Sequence, residues 1–467
     1  MRSVRDFGAV GDGVADDTTA IQHAVDQGIN QVSFEPGKYR ITKSIVIDMG
    51  KSGYTSISGS AGTAKVFMDG PGPAFDFRGN HDGSAEPERF TEGIWAQERM
   101  PLVKGLEIEG RHPEADGIHC FQTAMSTFEG VMLRHLRHGI HFTQRARNVL
   151  ISHCHIYDNS GVGIFLDHAN IHQAIIASSH ISYNKLSGIK ILNGEIRNVQ
   201  ITGNDIEYNY DRHVAEGAPA SAEIWIETTD PKATIREGTI ASNTIQARYA
   251  PGGANIRFLG NPEENHKTGL FAISGNMIGS QETNIDLNSA RGITISGNII
   301  YSGHQRNLRA TNSRNIVMTG NTFDHNYGYL PRELATGITF EGCTDCTFTG
   351  SNIHDAYAGE HTVETPAVMA RKGLVELHRC KRMTLSACQI LDPGLPGIHL
   401  DSCDLVNIQG CSILDSHEES KMPHAILWEG PGTANQIGGC TLSKGGGGAI
   451  SAAEESGVKI GDNVETG

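Results

Sequence analysis

The stretch ISGNMIGSQETNIDLNSARGITISGNII occupies Ile273–Ile300 and carries one six-residue pattern twice. ISGNMI at Ile273–Ile278 returns as ISGNII at Ile295–Ile300. Each copy has an apolar residue, two small residues, Asn and a second apolar residue, which reads as two short strands meeting at a sharp bend. Asn is a residue that tolerates the left-handed conformation such a bend asks for. Between the copies, NIDL at Asn284–Leu287 alternates apolar and polar residues, so Ile285 and Leu287 share one face and Asp286 the other.

The pattern extends in both directions. It reads ISHCHI from Ile151, IASSHI from Ile176, ITGNDI from Ile201, IASNTI from Ile240, MTGNTF from Met318, LSACQI from Leu385, IQGCSI from Ile408 and IGGCTL from Ile437. Apart from the step of 67 residues from Met318 to Leu385, copies recur about 22 to 39 residues apart, the range of solenoids. Stacking equivalent positions about 4.8 Å apart predicts a side-chain ladder of Asn276, Asn298 and Asn321, continued by Cys388, Cys411 and Cys440. A second strand follows each bend, as in GIHC (Gly117), GIHF (Gly139), GIFL (Gly163), GIKI (Gly188), EIWI (Glu223), NIRF (Asn255) and GIHL (Gly397). The expected fold is all-β, a single-stranded right-handed parallel β-helix. Long amphipathic helices are missing, which excludes α/β folds. The expected organisation is one domain over residues 1–467, with a cap over 1–45 and regular coils over 100–465.

Composition agrees. Gly contributes 56 of 467 residues and the formal net charge is −15, so no global basic field draws the chain to nucleic acid or a membrane. No apolar run is long enough to cross a bilayer, and MRSVRDFGAVGDG shows no signal peptide. Nine cysteines are an odd number, against a full disulfide framework. The CxxC of Cys343 and Cys346 has no second pair at zinc spacing and reads as core.

The N-terminus supplies a cap for the open solenoid end. DDTTAIQHAVDQG predicts a short helix N-capped by Asp17, with Ala20, Ile21, Ala24 and Val25 as its apolar stripe. The longer run RDFGAVGDGVADDTTAIQHAVD at Arg5–Asp26 resembles the opening of pectate-lyase-superfamily β-helix proteins, which include polygalacturonases, exo-glucanases, alginate epimerases and phage tailspikes. The resemblance implies the fold and its cap. It does not choose a reaction: the polygalacturonase segments NTD, GHG and RIK and the YGFDPH-type epimerase motif are absent.

The third residue of each second strand points outward, and the residue two later ends the strand. Rungs three to eight of that face carry Asp167, Lys190, Trp225, Glu227, Arg257, Asp286 and Arg309. The loops Tyr208–Ser221 and Ala247–Ala254 are expected to wall the site. Trp225 would offer an aromatic platform to a sugar. The catalytic candidates are Asp167, Lys190, Glu227, Arg257 and Asp286. The substrate contacts are Trp225, Arg309, Asn288, His141 and His168, the last being otherwise an ordinary turn residue. The histidines His119, His141, His378 and His399 are expected far along the ladder from this cluster, lining a sugar groove or simply filling the face.

Two chemistries fit these residue types. A pair of carboxylates two rungs apart, about 9–10 Å, suits inverting hydrolysis. Alternatively Lys190 or Arg257 removes the proton α to a uronate carboxyl in β-elimination, with Asp167, Glu227 and Asp286 holding calcium. The three bases favour an anionic sugar. Acids beside bases in a parallel ladder resemble calcium-dependent pectate lyases in residue type and order, and the ITGN ladder resembles inulin fructotransferases. The expected partner is a polysaccharide or oligosaccharide, bound by a monomer or a homo-oligomer such as a trimer. A non-catalytic tailspike-like binding protein is the third reading; the glycine-rich C-terminus has no coiled-coil heptads to support it.

Overall fold

The computed structural model describes residues 2–28, 30–83, 86–211, 220–326, 337–354 and 371–466. The chain divides into two compact units, Met1–Thr239 and Ile240–Gly467. Each is a stack of short parallel strands forming a parallel β-helix.

In the first unit, the strands Gly72–Arg78, Ala115–Ala124, Ile140–Ser152, Val162–Ala177, Ser187–Leu192 and Ala222–Thr228 pair in register. The register aligns Phe75, Ile118, Ile140, Ile164, Ile189 and Ile224 in one column. All six are fully buried. Their stacking removes a continuous apolar surface from water, at about 25 cal/mol per Å². The helix Thr18–Asp26 covers the N-terminal part and buries Ile21, Ala24 and Val25. Ala20 stays half-exposed. Asp17 does not cap this helix with its side chain. Its carboxylate instead accepts the amides of Val10 and Gly11, at 2.6 and 3.1 Å, tying the preceding loop.

In the second unit, Ile256, Ile285, Leu308, Ile338, Val375, Ile398 and Ile426 form the corresponding buried column. The asparagine ladder exists as expected. The Asn276 amide donates to Asn298 Oδ1 at 2.9 Å, and that of Asn298 to Asn321 Oδ1 at 3.0 Å. Cys388, Cys411 and Cys440 are buried, and all nine cysteines are free. The bend works differently from the sequence expectation. The left-handed residue is the glycine before each asparagine: Gly275, Gly297 and Gly320 have φ of 62–63°. The asparagine side chain is thereby free to turn inward and satisfy buried backbone.

Further ladders were not anticipated. Asn255, Asn284 and Asn307 chain through amide bonds of 2.8 and 2.6 Å. In the first unit, Asn159 donates to Asn184 and Asn184 to Asn209, each at 2.7 Å. Asn209 then donates to Glu223. Glu223 is fully buried, and that burial pushes its carboxyl well above the ordinary range.

Candidate functional site

The third-position side chains divide by unit. In the first, His119, His141, Phe165, Lys190 and Trp225 are half-buried. In the second, the expectation of an open face fails at Arg257, Asp286, Thr339, Glu376 and His399, which are all buried. The reason is mutual cover. Arg257 Nε lies 3.3 Å from Asp286 Oδ2, while Arg309 binds the same carboxylate with Nε and Nη2, at 3.1 and 3.2 Å. Arg306 donates to Thr339 Oγ1 and Glu376, and the turn at Gly373 packs against His399.

One grouping of titratable side chains in the first unit centres on Asp167. Its carboxylate lies between two imidazoles, His141 Nε2 at 3.2 Å and His168 Nδ1 at 2.6 Å. Burial alone would raise the Asp167 carboxyl; the bonds from His141 and His168 outweigh it and hold the group below its ordinary value. The His141 ring stacks on Phe165, 5.1 Å between centroids and 9° between planes. His141 is therefore part of the cluster, not remote from it, because its rung directly precedes that of Asp167.

One rung earlier is a second dyad. His119 Nδ1 lies 2.7 Å from Asp76 Oδ1, and its Nε2 lies 2.9 Å from Thr143 Oγ1. Burial works against the charge on Asp76, but His119 and Arg78 hold its carboxyl low. Asp76 was missed by sequence reasoning, although Ala74-Phe75-Asp76-Phe77 carries the second-strand pattern one rung before GIHC. His138 completes the patch, 5.4 Å from the His141 ring, and burial lowers its pKa to about 4.

On the C-terminal side of Phe165, Lys190 Nζ lies 3.3 Å from Glu227 Oε2 and 3.8 Å from the centre of the Trp225 ring. One face of the expected sugar platform is therefore covered by an ammonium, a cation–π contact set by adjacent rungs. The register runs Asp167, Leu192, Glu227, so the two carboxylates stand two rungs apart, as expected. Asn288 ends its strand in the second unit and accepts from Ser289 Oγ at 2.9 Å. Of the two loops expected as walls, residues 212–219 lie outside the described residues.

The model match that decides the family is "Right handed beta helix region", over residues 89–240 and 221–367, more than half of the chain. The chain belongs to the right-handed β-helix family. This β-helix also matches "Rhamnogalacturonase A/epimerase, pectate lyase-like" over residues 1–73, the part that holds the capping helix. No curated protein matches its sequence. Among solved structures, the bacteriophage Phi29 gene product 12 N-terminal fragment is similar with a TM-score of 0.50 and 13% identity, over 98% of this chain and 72% of that one. The Azotobacter vinelandii mannuronan C-5 epimerase AlgE6 A-module aligns at 14% identity and a TM-score of 0.39, over 100% of both chains. Geobacillus virus E2 ORF18 aligns at 14% identity and a TM-score of 0.41; the β-helix covers 75% of itself and 61% of that chain. At these identities the likeness concerns fold.

Two sets among the described residues have ligand types that suit a metal: Glu376, His378 and His399, and Asp392, Asp415 and His417. At Glu376, burial opposes the charge but His378, the Lys372 amide and Arg306 hold the carboxyl at about 2, and the Arg371 guanidinium lies close by. That cationic company disfavours a further cation. Calcium at Asp167, Glu227 or Asp286 would have to displace the imidazole, ammonium or guanidinium each already holds. Among the described residues, no helix is long and apolar enough to cross a membrane.

Proposed function

We propose that this β-helix is a carbohydrate-active enzyme that cleaves a uronate-containing glycan by β-elimination on the first unit's sheet face. The observation that carries the reading is the pair of Asp–His dyads on consecutive rungs, Asp76–His119 and Asp167–His141, with Lys190 further along the same face. Each aspartate holds an imidazole by a hydrogen bond and so orients it, as general acid–base work requires. His141 takes the proton α to the carboxyl group. The electron pair forms the new double bond, and the glycosidic bond to the leaving oxygen breaks. His119, protonated at Nε2, returns a proton to that oxygen through the Thr143 hydroxyl, which passes on its own proton as it takes that of the imidazole. Lys190 neutralises the uronate carboxylate instead of acting as base, since Glu227 and Trp225 fix its ammonium in place. His168, beside Asp167, supplies a hydroxyl contact. The N-terminal match to rhamnogalacturonase/epimerase sequences supports a carbohydrate substrate.

A second reading, hydrolysis with inversion, is favoured by the register of Asp167 and Glu227. Two rungs give about 9–10 Å between backbones, and leaning side chains bring the carboxyls into the roughly 6.5–9.5 Å range. A panel of uronate and neutral polysaccharides separates the readings. Elimination yields an ultraviolet-absorbing unsaturated uronate together with each new reducing end. Reducing ends without absorbance would overturn it in favour of hydrolysis. Binding with neither product would leave a glycan-binding β-helix, as a monomer or a trimer.

A further inference from the structure

A different sheet of the first unit carries an aromatic strip that the proposed reaction does not use. Its strands His155–Tyr157, His180–Ser182 and Asp205–Glu207 pair in register. The outer positions align as His155, His180, Asp205 and as Tyr157, Ser182, Glu207. The His155 and His180 rings stack at 5.3 Å and 4°. Tyr157 and Tyr183 lie 6.1 Å apart at 31°, and Tyr183 and Tyr208 5.9 Å apart at 26°. Three tyrosine rings thus rise one rung at a time, half-buried, with hydroxyl-bearing edges.

The backbone makes this choice of residue costly. Tyr183 and Tyr208 sit in the left-handed region, with φ of 64° and 58°. A bulky residue there costs about 1–2 kcal/mol, where Gly or Asn would fit more easily. The same turn position is filled by Asp158 one rung earlier, so the bend itself does not demand an aromatic. Beside the rings stand two carboxyls. His180 Nδ1 lies 3.0 Å from Asp205 Oδ2, and Glu207 follows two residues on along the same strand, Asp205–Glu207. Burial, together with the charge of Asp205, raises Glu207 to about 7. One member of the pair can therefore donate while the other accepts, the mixture that sugar hydroxyls need.

We propose that the Tyr157–Tyr183–Tyr208 strip, with His180, Asp205 and Glu207 beside it, is a second glycan-binding site for a neutral oligosaccharide. Tyrosine rings repeated at rung spacing present a rigid, amphipathic strip of ring edges and hydroxyls to successive pyranose rings, and tyrosine does so at low entropic cost. The carboxyl pair selects against uronates, whose charge would stand beside Asp205. The site does not depend on the elimination chemistry above, since its strands belong to another sheet.

Affinity gel electrophoresis of the whole chain in soluble starch, xylan, galactomannan and polygalacturonate tests the site. At least one neutral polysaccharide should retard the wild type. Tyr183→Ala should weaken that retardation about tenfold per lost ring contact, with unchanged circular dichroism. Tyr157→Ala should act in the same direction, as a milder variant at a residue without a left-handed backbone. Retardation by polygalacturonate, which reports the first site, should be untouched by either. The proposal is overturned if no neutral polysaccharide retards the wild type. It is also overturned if folded Tyr183→Ala and Tyr157→Ala variants both bind as tightly as the parent.

Discussion

Replacing Asn298 with alanine tests the asparagine ladder at one residue. Its Oδ1 accepts the Asn276 backbone amide at 3.0 Å and the Asn276 side chain at 2.9 Å. Its Nδ2 donates to Ile273 O and Asn321 Oδ1, both at 3.0 Å. Alanine removes four bonds at once, while the Asn298 backbone amide keeps its bond to Asn321. Each bond is worth about 0.5–1.5 kcal/mol, and the orphaned Asn276 amide and Ile273 carbonyl are buried, where desolvation is not refunded by water. The expected loss is about 3–5 kcal/mol. Urea titration followed by far-ultraviolet circular dichroism measures it, with Thr294→Ala as the control. Thr294 is exposed on the same coil and should cost under about 0.5 kcal/mol. A loss below about 1 kcal/mol for Asn298→Ala would refute the claim that the ladder satisfies buried backbone.

Other consequences are equally direct. Gly297 has φ of 62° and open space where a Cβ would sit, so Gly297→Ala should cost only the backbone term, about 1–2 kcal/mol, on the same urea assay. Asp167→Asn and His141→Ala should each lower turnover about a hundredfold or more, with unchanged thermal unfolding, because both side chains lie outside the core. Glu376 has its carboxyl held near 2 against an ordinary 4.5. A depressed carboxyl stabilises the fold above its unfolded value and loses that contribution as pH falls through the folded one. The stability difference between wild type and Glu376→Gln should therefore be constant near neutrality and shrink by about 3 kcal/mol between about pH 5 and pH 2. A difference independent of pH would show that Glu376 does not remain ionised in the folded protein.

The solenoid was legible because its signal is periodic. Isoleucines recurring around a small-residue bend dictate stacked rungs, and the resulting columns at Ile164 and Ile285 are fully buried. The asparagine ladder followed from the same spacing. Which residue took the strained conformation did not, since Gly275 and Asn276 both tolerate it and only the hydrogen bonds of Asn276 decide between them. The candidate site was legible in part. Third-position residues do share a face, so Asp167, Lys190 and Glu227 fall where the register placed them. Exposure was misjudged at Arg257 and Asp286 because pairing between rungs buries charge, and alternation along one strand carries no information about its neighbours. His141 was placed away from the cluster, yet the rung holding it abuts the rung of Asp167. Asp76 escaped notice because its strand begins Ala-Phe instead of Gly-Ile. The tyrosine strip was invisible for a further reason: Tyr157, Tyr183 and Tyr208 are 25 or 26 residues apart and meet only once the coils close.

The central claim is that cleavage of a uronate glycan proceeds by elimination at the Asp167–His141 face, and isotope incorporation tests it most directly. The protein is incubated with polygalacturonate and with alginate in water enriched in heavy oxygen, and the products are weighed by mass spectrometry. Elimination predicts new chain ends one water lighter than hydrolysis products, free of heavy oxygen, and absent with His141→Ala. Products carrying one heavy oxygen per cleavage would contradict the account and assign the face to hydrolysis by Asp167 and Glu227.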